Sequence, residues 1–156
     1  MKTLGEAIPA GDRILVDSSV LAAYFDRLEA TWELAAELLD GFVRAGRNQA
    51  VVSTVSVMET LVRPLRTMPA GYSAVLAFCR DFPNLTAMPV DLDVAHEAAV
   101  LRAGFRLSPP DALIAATGFV AGVSHLVTND RAWRSRLEPL RDRAGVVVLA
   151  ELLVPR

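Results

Sequence analysis

One cysteine, one lysine and two histidines among 156 residues close off several chemistries at the outset. Cys79 alone excludes an internal disulfide framework and fits a reducing cytoplasm. It lies in a helical pattern beside Phe78 and reads as a buried core thiol rather than a nucleophile. The only lysine is Lys2. Phosphoaspartate hydrolases and receiver domains, which need a lysine deeper in the chain, are therefore disfavoured. His96 falls mid-helix and His125 inside a strand, so both read as structural and no imidazole pair is at hand for metal-free ribonuclease chemistry. The lack of any Cys/His cluster disfavours zinc. Neither GxGxxG nor GxxxxGK[ST] occurs, so dinucleotide and P-loop sites lack support. A G-x-S-x-G elbow is also missing. No apolar run is long enough to span a bilayer. Met1 to Gly11 lacks the basic-then-apolar order of a secretory signal, and the expected location is the cytoplasm.

What is present is a large apolar fraction, 53% of residues, in a chain of single-domain length. Such a chain hides roughly 70% of its unfolded surface. The net charge of −2, from 16 basic and 18 acidic residues, does not mark a bulk nucleic-acid binder. All basic residues but Lys2 are arginine, whose planar fork suits phosphate. A compositional bias, seen also in the abundance of Ala, Leu and Val, accounts for the same fact.

Arg13-Ile-Leu-Val-Asp17-Ser-Ser reads as a buried strand ending in a carboxylate, followed at once by a helix to about Arg27. A second helix opens at Thr31, runs through Leu34, Leu38, Leu39 and Phe42, and ends near Gly46. Ala50–Ser53 is a second strand. A helix follows from Thr54 or Ser56, with Val55, Met58, Val62 and Leu65 on its apolar side and Pro64 disturbing its last turn. Ala70 to Phe82 is helical, Leu85 to Val90 a third strand, and Asp91 caps a helix that Gly104 is placed to end. Ser108-Pro-Pro-Asp111 starts the next helix. Val123–Val127, Arg131–Leu137 and Val146–Leu149 supply a strand, a short helix and a last strand. Short apolar strands alternating with helices predict an α/β domain with a parallel sheet covered on both faces.

Ligands of such sheets sit beyond the carboxyl ends of the strands. Asp17 ends the first strand, Glu59 lies about two turns into the helix after the second, and Asp130 follows the fourth in Val127-Thr-Asn-Asp130. Asp111 opens the helix feeding that strand, and its placement is the least constrained of the four. Each acid also has a local reading. Asp17 and Asp130 suit helix caps, Asp111 a capping box with Ser108, and Glu59 a pair with Arg63 one turn on. A shared site explains all four positions together. Setting the four aside turns the remaining charge balance positive. Clustered carboxylates repel and gain from a neutralising cation. Oxygen ligands select Mg²⁺ or Mn²⁺, and the matching reaction class is phosphodiester hydrolysis.

These residues resemble the PIN-domain family, specifically the VapC-type toxins of toxin–antitoxin pairs. The likeness runs through Val16-Asp-Ser-Ser-Val20, Glu59-Thr-Leu-Val-Arg-Pro-Leu-Arg66, Pro110-Asp-Ala-Leu-Ile-Ala-Ala-Thr117 and Val127-Thr-Asn-Asp130. The resemblance implies a three-layer α/β/α fold with a central parallel sheet of about five strands. It also implies an Mg²⁺- or Mn²⁺-dependent endoribonuclease, with Asp17, Glu59, Asp111 and Asp130 as acidic quartet and metal-site residues. Asp17 and Asp111 are then the leading ligands, Glu59 orients the ion and its water, and Asp130 is the least secure. Ser19 and Thr128 support the site by hydrogen bonds. A homodimer and a VapB-type antitoxin, whose tail crosses the acidic groove, are further implications. The helices Thr31–Phe42 and Val55–Leu65 are candidate partner surfaces, with core packing as the competing use. The domain is expected over residues 13–156. Residues 1–12 precede the usual family start and read as a loose arm or a misassigned start. Arg44, Arg47, Arg63 and Arg66 are candidate RNA contacts around the groove, against a solvated arginine face. Trp133 is read as packing a short helix rather than stacking a base. The alternative function is a catalytically silent PIN-like module that binds RNA or protein.

Overall fold

The computed structural model describes residues 2–153. Its elements follow the order α1 Leu4–Ala7, β1 Arg13–Val16, α2 Ser18–Phe25, α3 Trp32–Ala36, β2 Gln49–Ser53, α4 Thr54–Thr67, α5 Pro69–Asp81 and β3 Leu85–Met88. Then come α6 Leu92–Phe105, α7 Pro109–Val120, β4 His125–Thr128, α8 Arg131–Leu137 and β5 Gly145–Val148. The α3 helix continues as π-helical turns over Glu37–Arg44. That wider winding puts the pairs Leu38, Leu39 and Phe42, Val43 on one buried side.

All five strands are parallel, in the order β3-β2-β1-β4-β5. Side chains alternate across the sheet, as the pleat requires. Ile14, Val16, Ala50, Val52, Val127 and Val147 join one core with Leu21, Leu38, Leu39 and Phe82. Leu15, Val51, Leu126 and Val146 face the other core, built with Val94, Leu101, Ile114 and Trp133. The three-layer expectation is met. Chain order reverses between β1 and β4, so the crevice for a ligand opens at their carboxyl ends.

Several sequence expectations are corrected. Residues 3–12 are docked rather than loose. Thr3 and Glu6 form a reciprocal capping box, and Leu4 and Ile8 are buried. Arg47 stacks 3.8 Å from the Phe42 ring centroid and donates to Ile8 O at 2.9 Å. Asn48 Nδ2 donates to Pro9 O and Asp12 O, both at 2.8 Å. His125 Nε2 pairs with Asp12 Oδ2 at 2.8 Å, a structural use as expected. Gly104 does not end α6. The helix runs on to Phe105, which packs against the core, and Arg106 takes the left-handed position at φ 57°. Pro64 is carried inside α4 on its exposed stretch, where water can satisfy the carbonyl it leaves unpaired. The α4 stripe faces outward: Met58 is 56% exposed, Val62 38% and Leu65 58%. Only the first turns of α4 reach the core, through Val55 and Val57. The Leu38, Leu39 and Phe42 surface of the preceding segment is core and offers no free face. Among the described residues no helix is long and apolar enough to cross a membrane.

Helix α7 lies close on the sheet because its inner face is small: Ala112, Ala115, Ala116 and Gly118 are all buried. A Cβ on Gly118 would stand 2.5 Å from Leu126 Cδ2 and 3.1 Å from Leu15 Cβ. Gly118→Ala is expected to destabilise the fold by about 1–3 kcal/mol through overpacking. Chemical denaturation checks this; an unchanged midpoint would contradict so tight a seat for α7.

Candidate active site

Three of the four acids are delivered by almost loop-free turns from strand to helix. β1 ends at Val16 and α2 starts at Ser18, so Asp17 is both the strand's last carboxylate and the helix cap. Its N–H donates to Val127 O at 3.0 Å, tying it to β4. β2 runs directly into α4, which carries Glu59. β4 passes through Asn129 to Asp130, the cap of α8. Asp111 arrives differently. A crossover helix before a parallel strand runs back across the sheet, so α7 begins over the carboxyl edge and brings Asp111 with it.

Asp17 is 4% exposed and surrounded by donors. Its Oδ2 accepts from Ser19 Oγ at 2.6 Å and from Thr128 Oγ1 at 2.7 Å. Its Oδ1 accepts from the Ser18 N–H at 2.8 Å and from Ser18 Oγ only at 3.3 Å. A second tier fixes those hydroxyls: the Asn129 N–H donates to Ser19 Oγ at 2.9 Å, and the Asp130 N–H to Thr128 Oγ1 at 3.0 Å. Asn129 Nδ2 also donates to Ser19 O at 3.2 Å. Ser19 and Thr128 thus hold the carboxylate. Ser18 and Asn129 belong to the same network, and sequence reasoning did not single them out. Both lie within the quoted motifs, but nothing in their spacing distinguishes a site donor from an ordinary cap or turn residue.

The cap and site readings of the acids are compatible. Asp130 Oδ1 accepts from the Ala132 N–H at 2.8 Å. The Asp111 N–H donates to Ser108 Oγ at 3.4 Å, half of a capping box. Glu59 leaves Arg63 to Asp26, at 3.2 Å. Burial pushes the Glu59 carboxyl above the usual range, with repulsion from Asp17 and Asp111 adding to it. Asp111 is also raised, first by burial, then by Asp17 and Asp130, while the Ser108 hydroxyl and the Trp133 indole partly offset this. Asp17 and Asp111 thus bear on Glu59, and Asp17 and Asp130 on Asp111. Among the described residues no three His, Cys, Asp or Glu side chains stand close enough to form a ready-made metal cage. Helices α2, α7 and α8 aim their N-termini at the pocket, and their dipoles moderate the repulsion.

The arginines divide. Arg63 and Arg66 lie one and two turns beyond Glu59 on α4. Arg44 and Arg47 precede β2 and lie at the amino edge of the sheet, away from the acids. Arg44 pairs with Asp40 at 3.2 Å and covers the Phe82 ring. Arg47 docks the N-terminal stretch. Neither rings the groove. Cys79 and Trp133 are buried, as expected.

A carboxyl whose folded pKa lies above its unfolded value binds protons more tightly in the fold, so its contribution to stability falls as pH rises through that raised pKa. Asp111→Asn removes this loss. With chelator present at neutral pH, the variant is expected to be more stable than the parent. The gain should shrink as the pH falls into the acidic range and the parent's carboxyl takes up its proton. Thermal melts at neutral and acidic pH check this; a destabilised variant at neutral pH would contradict the repulsion.

The family model for the PIN domain matches residues 14–136. No curated protein matches significantly. Among solved structures, VapBC2 from Rickettsia felis bound to a promoter DNA fragment is similar at 13% identity and TM-score 0.64, over 87% of this chain and 98% of that one. VapC20 from Mycobacterium tuberculosis, described as a Sarcin-Ricin loop cleaving toxin, is similar at 20% identity and TM-score 0.62, over 76% and 90%. FitAcB from Neisseria gonorrhoeae is similar at 18% identity and TM-score 0.62, over 89% and 99%. The fold is theirs at low identity, and the family model carries the assignment: this chain belongs to the PIN-domain family.

Proposed function

We propose that the protein is an Mg²⁺- or Mn²⁺-dependent endoribonuclease and the toxin of a toxin–antitoxin pair. What supports the reading is that Asp17, Asp130 and the start of α7 with Asp111 lie at the carboxyl edge of the sheet around its switch point, and that burial and neighbouring acids push the Glu59 and Asp111 carboxyls up. Family membership and the toxin structures of the same fold support it.

The donor set fits a hard cation. It consists of carboxylates and hydroxyls with no sulfur or imidazole. Mg²⁺ keeps several waters and takes only one or two protein carboxylates. Asp17 Oδ1, holding a single close donor, has capacity left for an ion, while Oδ2 is occupied by two hydroxyls. Asp111 supplies the second carboxylate, and Glu59 and Asp130 complete the charge and orient water. When bound, the ion supplies a Lewis acid at the phosphate and a water of lowered pKa.

The chain's own residues do the remaining work. Ser19 and Thr128 keep the Asp17 carboxyl fixed. Glu59, with its raised affinity for protons, is placed to accept one from the attacking water. Arg66, exposed beyond Glu59, provides a phosphate contact, and Arg63 can join it by leaving Asp26. The outward apolar stripe of α4, Met58, Val62 and Leu65, offers a partner surface for the antitoxin or for a second copy in a homodimer.

Purified protein should cleave structured RNA with Mg²⁺ or Mn²⁺ and stop with chelator. Asp17→Asn should lose about 10²-fold or more in rate. Cleavage that survives chelation or Asp17→Asn would overturn the mechanism. Metal uptake by calorimetry without any cleavage would instead favour a silent binding module.

A further inference from the structure

Helix α8 carries three arginines and no acid in seven residues, in a chain whose acids outnumber its bases by 18 to 16. Trp133 and Leu137 are buried, so the helical period turns Arg131, Ser135 and Arg136 outward, and all three are exposed. Acids nearby take up the other arginines of this region. Arg134 pairs with Glu151 at 2.8 Å, Arg141 with Glu138 at 2.9 Å and Arg143 with Glu97 at 2.7 Å. Among the described residues no carboxylate pairs with Arg131 or Arg136. Helix stability does not account for Arg131, which stands in the first turn, where a cation opposes the dipole.

The cap of α8 ties it to the candidate site. The Asp130 N–H donates to Thr128 Oγ1 at 3.0 Å, and that hydroxyl donates to Asp17 Oδ2 at 2.7 Å. Arg131 therefore follows directly on the network that holds Asp17. Arg136 lies about 7.5 Å further along the helix axis. In the sheet, β2 and β4 flank β1 on opposite sides. Because α4 follows β2 and α8 follows β4, Arg66 and the α8 arginines belong to opposite flanks of Asp17. A nucleic-acid strand lying across the carboxyl edge meets cations on both sides of the acids.

We propose that Arg131 and Arg136 form a phosphate track for single-stranded RNA, holding its backbone on the β4 side of the scissile bond while Arg66 meets it on the β2 side. This rests on the ribonuclease reading above and says how the substrate lies in that site. The planar fork of arginine donates in pairs to phosphate. Single strands are held in this way by basic grooves that follow the backbone, whatever the base sequence.

A fluorescein-labelled single-stranded RNA of mixed sequence, with chelator present to prevent cleavage, reads the track by fluorescence anisotropy. Arg131→Gln and Arg136→Gln should each lower the slope of log affinity against log salt by about 0.7, and the double variant should bind at least ~10-fold more weakly at low salt. In Mg²⁺ the double variant should raise KM for cleavage and keep kcat. Arg80→Gln removes an exposed arginine from the last turn of α5, at the amino edge of the sheet, and should bind as the wild type does. Affinity and slope unchanged by both α8 substitutions, or an equal loss in Arg80→Gln, would overturn the track and leave the nuclease reading standing. A wild type that cleaves RNA but shows no affinity for it would overturn the track as well. A wild type that neither binds nor cleaves RNA would defeat both.

Discussion

The parallel pairing of β1 with β4 is the constraint on which the site depends. It sets Val16 opposite Val127 and ties the Asp17 N–H to the Val127 carbonyl. Once that register holds, Thr128 reaches Asp17 and the Asn129–Asp130 turn falls beside Ser19. A slip of one residue would turn Thr128 to the other face of the sheet and leave a buried carboxylate without its donors. The donors satisfy the oxygens of an acid that is only 4% exposed.

Around this fixed carboxylate the other acids are held at a cost. Glu59 and Asp111 carry raised proton affinities because burial and their neighbours oppose ionisation. Three helix N-termini moderate the repulsion without removing it. The fold thus stores unfavourable charge at one edge while both cores, sealed by Ile14, Leu15, Val16, Leu126 and Val127, supply the stability that sustains it. Such local strain in an otherwise consistent fold is what a functional pocket looks like.

The central strands were legible because β1, β2 and β4 are short, largely apolar runs punctuated by Asp17, Ser53 and Asn129. The acids were legible because the strand-to-helix turns are nearly loop-free, so position in the chain fixed position in space. Asp111 seemed least constrained, yet helix direction before a parallel strand determines it. Other features depend on tertiary partners that spacing does not reveal. Periodicity marks α4 as amphipathic but does not say which side the domain covers, and Met58 and Leu65 turned out to face solvent. The docking of residues 3–12 rests on Arg47 and Asn48, contacts more than thirty residues apart in the chain. Arg44 and Arg47 could have been placed from their position before β2, at the edge opposite the acids.

The central claim is that Asp17 and Asp111, reaching one pocket from different elements, grip a hard cation together. Anomalous diffraction from crystals soaked in Mn²⁺ tests it most directly. A manganese peak within bonding distance of Asp17 Oδ1 and an Asp111 oxygen is the predicted result. Peaks confined to other surface acids, with none between these two residues, would contradict it.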